Sequence, residues 1–279
     1  MTGRAHRRRD IAHSDGIINV VQITDCHLDG QPGGRLLGMD TDHSLAAVLS
    51  TLRDAGPAPD LLLATGDLAD GGAAAAYSRL LEHCAGLCPE QFWLPGNHDD
   101  RSAMEALPAA ERLLVDELRV GNWQILLLDS QVPGKIGGRV GAAQLERLRA
   151  RLETAQREQL FSLVCLHHQP VAIGCDWLDE QRVSDASELF RVLDDFPCVR
   201  AVLWGHIHQE VDRYRGQLRL LASPSTCVQF APGSAEFRAD DRPPGYRWLR
   251  LFPDGRLDTG VRRVEGVQLE VNLDQRGYL

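Results

Sequence analysis

Five short segments of this 279-residue chain leave Asp, Asn or His just beyond an apolar run. They are Asp25-Cys26-His27, Gly66-Asp67-Leu68-Ala69-Asp70, Gly96-Asn97-His98-Asp99, His167-His168 and Gly205-His206-Ile207-His208. Each alone reads as a turn or a packed histidine; all five in this order read as one site. Asp25 and His27 stand two apart at a strand end, so both side chains can face one metal while Cys26 faces away. Asp67 ends a neighbouring run, where a carboxylate can bridge two cations. Asn97 offers a neutral amide oxygen, and His167, His206 and His208 offer imidazole nitrogens. This mixture of O and N donors without thiolate suits Mn, Fe, Zn or Co better than Ca or Mg alone. Two divalent ions about 3.5–4 Å apart would hold a bridging hydroxide and both oxygens of an in-line displacement. Two carboxylates, one hydroxide and one phosphodiester anion would neutralise such a pair. His6, His13, His43 and His83 fall outside the pattern. His168 keeps three readings: a partner behind the ligands, a substrate contact, or simple packing.

The elements that must position these residues are short. Ile17-Ile18-Asn19-Val20-Val21-Gln22-Ile23 reads as a β-branched strand ending at Asp25. Leu61–Ala64, Phe92–Leu94, Leu163–Leu166 and Ala201–Trp204 are apolar runs ending at the other four segments, as strands buried on both faces do. Between them, residues 42–53, 73–83 and 144–156 carry apolar residues at helical spacing. Strands alternating with helices imply parallel βαβ units, whose ligands gather beyond the carboxyl ends of the strands. Trp123–Asp129 adds a strand. After His208, residues 210–214, 217–222, 246–252 and 257–264 read as strands with turns at Arg215-Gly216 and Asp254-Gly255, forming a second, more antiparallel sheet packed on the first. The proline-containing stretch 232–245 reads as a long loop near the site mouth.

Because one site draws on residues 25 to 208, residues 16–279 are expected to form a single domain, with residues 1–15 a loose basic arm. The formal charge of −9 disfavours a nucleic-acid partner. No apolar stretch approaches the ~20 residues of a membrane span, and no apolar region follows Arg4–Arg9 as in a secretory signal. Seven scattered cysteines read as reduced thiols filling apolar space in a cytoplasmic protein, and Cys84 and Cys88 lack the second pair of a zinc site.

Taken together, the motifs resemble those of the calcineurin-like metallophosphoesterases. That resemblance implies a four-layer α/β/β/α sandwich, two mixed sheets flanked by helices, with the site between the sheets. It implies one metal held by Asp25, His27, Asp67 and His208, and a second held by Asp67, Asn97, His167 and His206. It makes His98 the group that touches the phosphate and protonates the leaving oxygen, with Asp70 holding His98 protonated. Asn97 would help to steady the developing charge. Leu166–Pro170, Trp177–Asp179, Gly205–Glu210, Ser223–Phe230, Pro244–Arg247 and the end near Gly277-Tyr278 are similar to bacterial class III 3′,5′-cyclic AMP phosphodiesterases. One departure is Gln169, where that group commonly has Pro. The implied reaction is hydrolysis of the small-molecule substrate 3′,5′-cyclic AMP to 5′-AMP by a metal-bridging hydroxide. The alternative is a broader phosphodiesterase acting on glycerophosphodiesters, 2′,3′-cyclic nucleotides or other nucleotides. A nuclease would want a basic groove, and a non-catalytic scaffold would have lost ligands; neither fits. A homodimer is compatible with this reading. Trp177, Thr226 and Phe230 are the candidates for recognising the base.

Overall fold

The computed structural model describes residues 6–14 and 16–277. Its backbone is two packed sheets with helices on both outer faces. The five-stranded sheet runs Leu257–Arg263, Gly245–Leu251, Ile18–Ile23, Leu61–Thr65, Glu90–Leu94 in spatial order. Its last three strands are parallel, and Gly245–Leu251 is antiparallel to both neighbours. The seven-stranded sheet runs Arg8–Ile11, Glu117–Val120, Trp123–Leu127, Phe161–Cys165, Val199–Trp204, Leu218–Ala222, Val211–Arg215. Its four consecutive strands from Trp123–Leu127 to Leu218–Ala222 are parallel.

Period-two alternation explains why these apolar runs are strands and not helices. In the Leu61–Thr65 strand, Leu61 and Leu63 enter the core between the sheets, while Leu62 and Ala64 enter the core beneath the outer helices. From the other sheet, Leu163 and Leu203 meet the first set, and Val164 and Val202 face the opposite helices. The central strands are therefore buried on both faces, as a helix-covered parallel sheet requires. Thr41–Asp54 begins at Asp40, whose side chain accepts from His43 N at 2.9 Å, and buries Leu45, Val48, Leu49 and Leu52. Ala74–His83 and Ala142–Arg157 match the other two helical stretches read from the sequence. The short amphipathic helix Ala186–Asp194 was not read there.

Two expectations need correcting. The strands after His208 do not make a sheet of their own. Val211–Arg215 and Leu218–Ala222 close one edge of the seven-stranded sheet, whereas Gly245–Leu251 and Leu257–Arg263 complete the five-stranded one. Nor is the basic arm loose throughout: Arg8–Ile11 pairs in parallel with Glu117–Val120. Arg7 N donates to Asp116 Oδ2 at 2.8 Å at its start. The arm's residues 1–5 and Asp15, and Tyr278 at the other end, lie outside the described residues. The stretch 232–245 is the turn and return of a small hairpin pairing Gln229–Phe230 with Ala239–Asp240. Among the described residues, no helix is long and apolar enough to cross a membrane. All seven cysteines are free thiols.

Candidate metal centre

Five strands converge at their carboxyl ends, three from one sheet and two from the other. Asp25 follows Ile18–Ile23, Asp67 follows Leu61–Thr65, and Asn97 and His98 follow Glu90–Leu94. His167 follows Phe161–Cys165, and His206 and His208 follow Val199–Trp204. Backbone ties extend beyond the strands proper: Asp25 N donates to Gly66 O and His27 N to Asp67 O, each at 2.9 Å. Gly205 N donates to His167 O at 3.1 Å. The sheets meet where Asp25 accepts His206 N on both carboxylate oxygens, at 3.0 and 3.1 Å.

The backbone here is strained. Asp25, His27, Asp67, His206 and His208 all sit in the left-handed region, with φ of 54°, 45°, 50°, 65° and 49°. Non-glycine residues adopt it rarely, and such outliers gather at functional sites. Gly96 and Gly205 admit the crowding here. A Cβ on Gly96 would lie 2.2 Å from Asp67 Oδ1, and one on Gly205 would lie 2.1 Å from Thr24 Oγ1.

Asp67 is the hub. Its Oδ2 lies 3.1 Å from His167 Nε2 and 3.8 Å from His27 Nε2, and its Oδ1 accepts His98 N at 2.9 Å. Asp25 Oδ1 lies 3.4 Å from His208 Nε2 and 4.0 Å from His167 Nε2, and the Nε2 atoms of His27 and His208 are 3.3 Å apart. Asp25, His27 and His208 thus form one cluster able to hold a cation, and Asp25, Asp67 and His167 form an adjoining one.

The donor set fits metal ions. His167 Nδ1–H donates to Thr65 O at 2.8 Å and His208 Nδ1–H to Val228 O at 2.7 Å, so in the neutral ring that a cation would require, Nε2 is the nitrogen left to face the cluster. Asn97 Oδ1 and His206 Nε2 are buried with no hydrogen-bond partner. Buried polar atoms in that condition are costly, and a cation would satisfy both.

Electrostatics follows from burial and mutual charge. Burial would raise the Asp67 and Asp25 carboxyls, but His167 beside the first and His208 beside the second hold both below the usual aspartate range. Burial, with His98 adding to it, depresses His27 to about 3; burial, with His168 and His167, depresses His206 strongly. Both rings are neutral and able to ligate. His167 goes the other way, to about 9, because the Asp67 carboxylate outweighs its burial. His98 Nδ1–H donates to Asp70 Oδ1 at 3.2 Å, and that bond raises the imidazole against its burial.

Asp25, His27, Asp67, His167, His206 and His208, with His98 and Asp70, therefore gather in one place, and Asn97 stands next to His98 in the chain. His168 stands close enough to His167 and His206 to share a cation with them, but both of its ring nitrogens are already bonded. Its Nε2–H donates to Ile136 O and its Nδ1 accepts from Ser130 Oγ, each at 2.8 Å, so the ring tethers the 130–138 loop. Of the three base-recognition candidates, Thr226 and Phe230 are fully buried and only Trp177 keeps exposed surface.

Sequence reasoning missed the frame behind the site. The Asp99 carboxylate accepts Leu68 N, Ala69 N and Gly96 N at 2.9–3.2 Å and the Tyr77 hydroxyl at 3.0 Å, lashing the Asp67 turn to the Asn97 turn. Its place in the Gly-Asn-His-Asp segment was the available signal; Tyr77 carried none. Gln131 Nε2 donates to Gly96 O at 2.8 Å and Asp99 O at 2.6 Å.

A sandwich with these clusters between its sheets defines a class, and the sequence profile of the calcineurin-like phosphoesterases matches residues 18–210. The chain belongs to that family of metallophosphoesterases. Within it, the chain is 47% identical over 272 residues to the 3′,5′-cyclic adenosine monophosphate phosphodiesterase CpdA of Pseudomonas aeruginosa, covering 98% of this chain and 99% of that one. It is 42% identical to CpdA of Escherichia coli K12, over 94% of this chain and 95% of that one. Among solved structures, a dimetal phosphatase from Danio rerio superposes with a TM-score of 0.64 at 14% identity, covering 90% of this chain and all of that one. That last likeness is one of fold.

Proposed function

We propose that this chain hydrolyses 3′,5′-cyclic AMP to 5′-AMP with two divalent cations. The observation that carries the metal reading is Asp67, one carboxylate oxygen of which lies between His167 and His27 at 3.1 and 3.8 Å. On this reading Asp67, Asp25, His27 and His208 would hold one ion, and Asp67, Asn97, His167 and His206 would hold the other. Mn, Fe, Zn and Co match that donor chemistry. When bound, the ions supply an activated water and Lewis-acid stabilisation of the phosphoryl oxygens.

The chain's own side chains do the rest. Asn97 orients the phosphate and, with His98, steadies charge developing on it. His98 protonates the departing 3′ oxygen, and Asp70 keeps it charged and aimed. Substrate choice rests on the near full-length similarity to enzymes named for cyclic AMP, not on ligand geometry. A cytoplasmic location agrees with seven free thiols.

The test is turnover of Mn-loaded protein on 3′,5′-cyclic AMP beside 2′,3′-cyclic AMP and bis(p-nitrophenyl) phosphate. A clear preference for the first supports the proposal. Fast turnover of the artificial diester with negligible 3′,5′-cyclic AMP hydrolysis discards the substrate and keeps the metal mechanism.

A further inference from the structure

His208 is held by more than a hydrogen bond. The ring of Phe230 stacks on it, centroids 4.0 Å apart and planes 11° apart. Phe230 is itself fully buried and wedged edge-on by Trp177 and Phe237, at 5.1 and 5.5 Å. Trp177 and Phe237 also meet edge-on at 5.1 Å, and Trp177 Nε1–H donates to Ser234 Oγ at 3.3 Å. The strand that carries Phe230 begins just after Val228, whose carbonyl accepts His208 Nδ1–H. The segment leading into it is braced too: Ser225 Oγ donates to Asp25 O at 2.7 Å, and Gln229 Nε2 donates to Ser225 O and Cys227 O at 2.9 Å.

These contacts divide the work of orienting one imidazole. A single hydrogen bond at Nδ1 fixes the tautomer and the direction of one ring atom, yet leaves the plane free to pivot about that bond. A flat ring stacked at 4.0 Å removes the pivot, because rotation would drive His208 into Phe230. With the plane set, Nε2 stays 3.4 Å from Asp25 Oδ1 and 3.3 Å from His27 Nε2.

We propose that Phe230 is a positioning residue for the metal centre, setting the ring plane of His208 from the 229–240 hairpin while Val228 sets its tautomer. The proposal rests on His208 being a ligand. It also accounts for the aromatic cluster of Trp177, Phe230 and Phe237, whose fully buried member cannot reach a substrate.

The test compares full-length Phe230→Leu, Phe237→Leu and His208→Ala with the unmodified chain. Each is stripped of metal and titrated with Mn²⁺ by calorimetry, and with Co²⁺ while its visible d–d bands are recorded. Removing a group that orients a metal-ligating histidine weakens metal binding about 10- to 100-fold. Phe230→Leu should show that loss and an altered Co²⁺ spectrum. Phe237→Leu, which trims the same cluster while leaving the ring stacked on His208 in place, should keep both Mn²⁺ affinity and Co²⁺ spectrum. Equal affinities in the two leucine variants, or an unchanged spectrum in Phe230→Leu, overturn the proposal. If His208→Ala binds both metals as the unmodified chain does, the ligand reading falls and the proposal with it. If only His208→Ala is impaired, the ligand reading stands and the role of Phe230 is refuted. Should Phe230→Leu fail to unfold cooperatively, Phe230→Tyr takes its place: the retained ring should keep the Co²⁺ spectrum, and a folded Phe230→Tyr that loses it refutes the idea.

Discussion

Replacing Tyr77 by Phe isolates the frame behind the metal centre with the loss of one oxygen atom. Tyr77 is fully buried, and its hydroxyl sits between two turns: it donates to Asp99 Oδ1 at 3.0 Å and accepts Asp100 N–H at 2.9 Å. Burial and the Asp99 charge push the phenol far above its ordinary range, so it stays a donor at every working pH. A hydrogen bond to a charged acceptor is worth about 1.5–3 kcal/mol, and the Asp100 N–H, on an exposed residue that water can partly reach, costs about 1 kcal/mol when orphaned. The aromatic ring remains, so no cavity adds to the sum, and the expected loss is about 2.5–4 kcal/mol. For a domain of this size that corresponds to a fall in Tm of about 5–15 °C. The assay is urea unfolding, with scanning calorimetry beside it, both in chelator so that metal binding does not contribute. Asp99 keeps its three backbone donors, so the variant should still fold. A shift below about 2 °C would refute the reasoning, since it would mean that the carboxylate does not need its fourth partner.

Four further outcomes are expected. His98→Ala should lower kcat about 10²- to 10⁴-fold with metal content near normal by elemental analysis; loss of both metals would assign His98 a structural role. Asp70→Asn should move the basic limb of the kcat/KM profile to lower pH, because Asp70 raises His98 and so carries its protonated form to higher pH. Gly96→Ala should bind less than one metal per chain, since the new methyl would lie 2.2 Å from Asp67 Oδ1 and 2.7 Å from His167 Nε2. Asp42, bonded to Arg79, His83 and Gly33 N, is held below the usual aspartate range despite partial burial. Its contribution is therefore present at neutral pH and is lost as pH falls through its depressed folded value. Asp42→Asn should be less stable at pH 7 by about 1 kcal/mol, the gap closing under strong acid.

The grouping of the candidate residues was legible because its signals are local. Asp and His directly after an apolar run mark the carboxyl end of a strand, and the chain delivers all seven ligand candidates there. Sheet membership was not local. Residues 246–252 and 257–264 announce themselves as strands, but whether they join Ile18–Ile23 or Leu218–Ala222 depends on pairing across some two hundred residues. Arg8–Ile11 was hidden for another reason. It is a short, largely exposed edge strand whose arginines have no apolar pattern, and only the register with Glu117–Val120 makes it a strand. The frame of Asp99, Tyr77, Thr65 and Val228 escaped because backbone carbonyls and a lone buried tyrosine leave no signature in residue type.

The left-handed backbone at Asp25, His27, Asp67, His206 and His208 sets stability against activity. Each such conformation stores about 1–3 kcal/mol, which glycine would release. A library screened only for heat resistance of the metal-free chain would therefore drift toward glycine at these five positions, and its best-scoring members would be inert. High melting temperature in a variant of this protein is thus no evidence of a working enzyme, and any effort to harden it must select on catalysis in the same round.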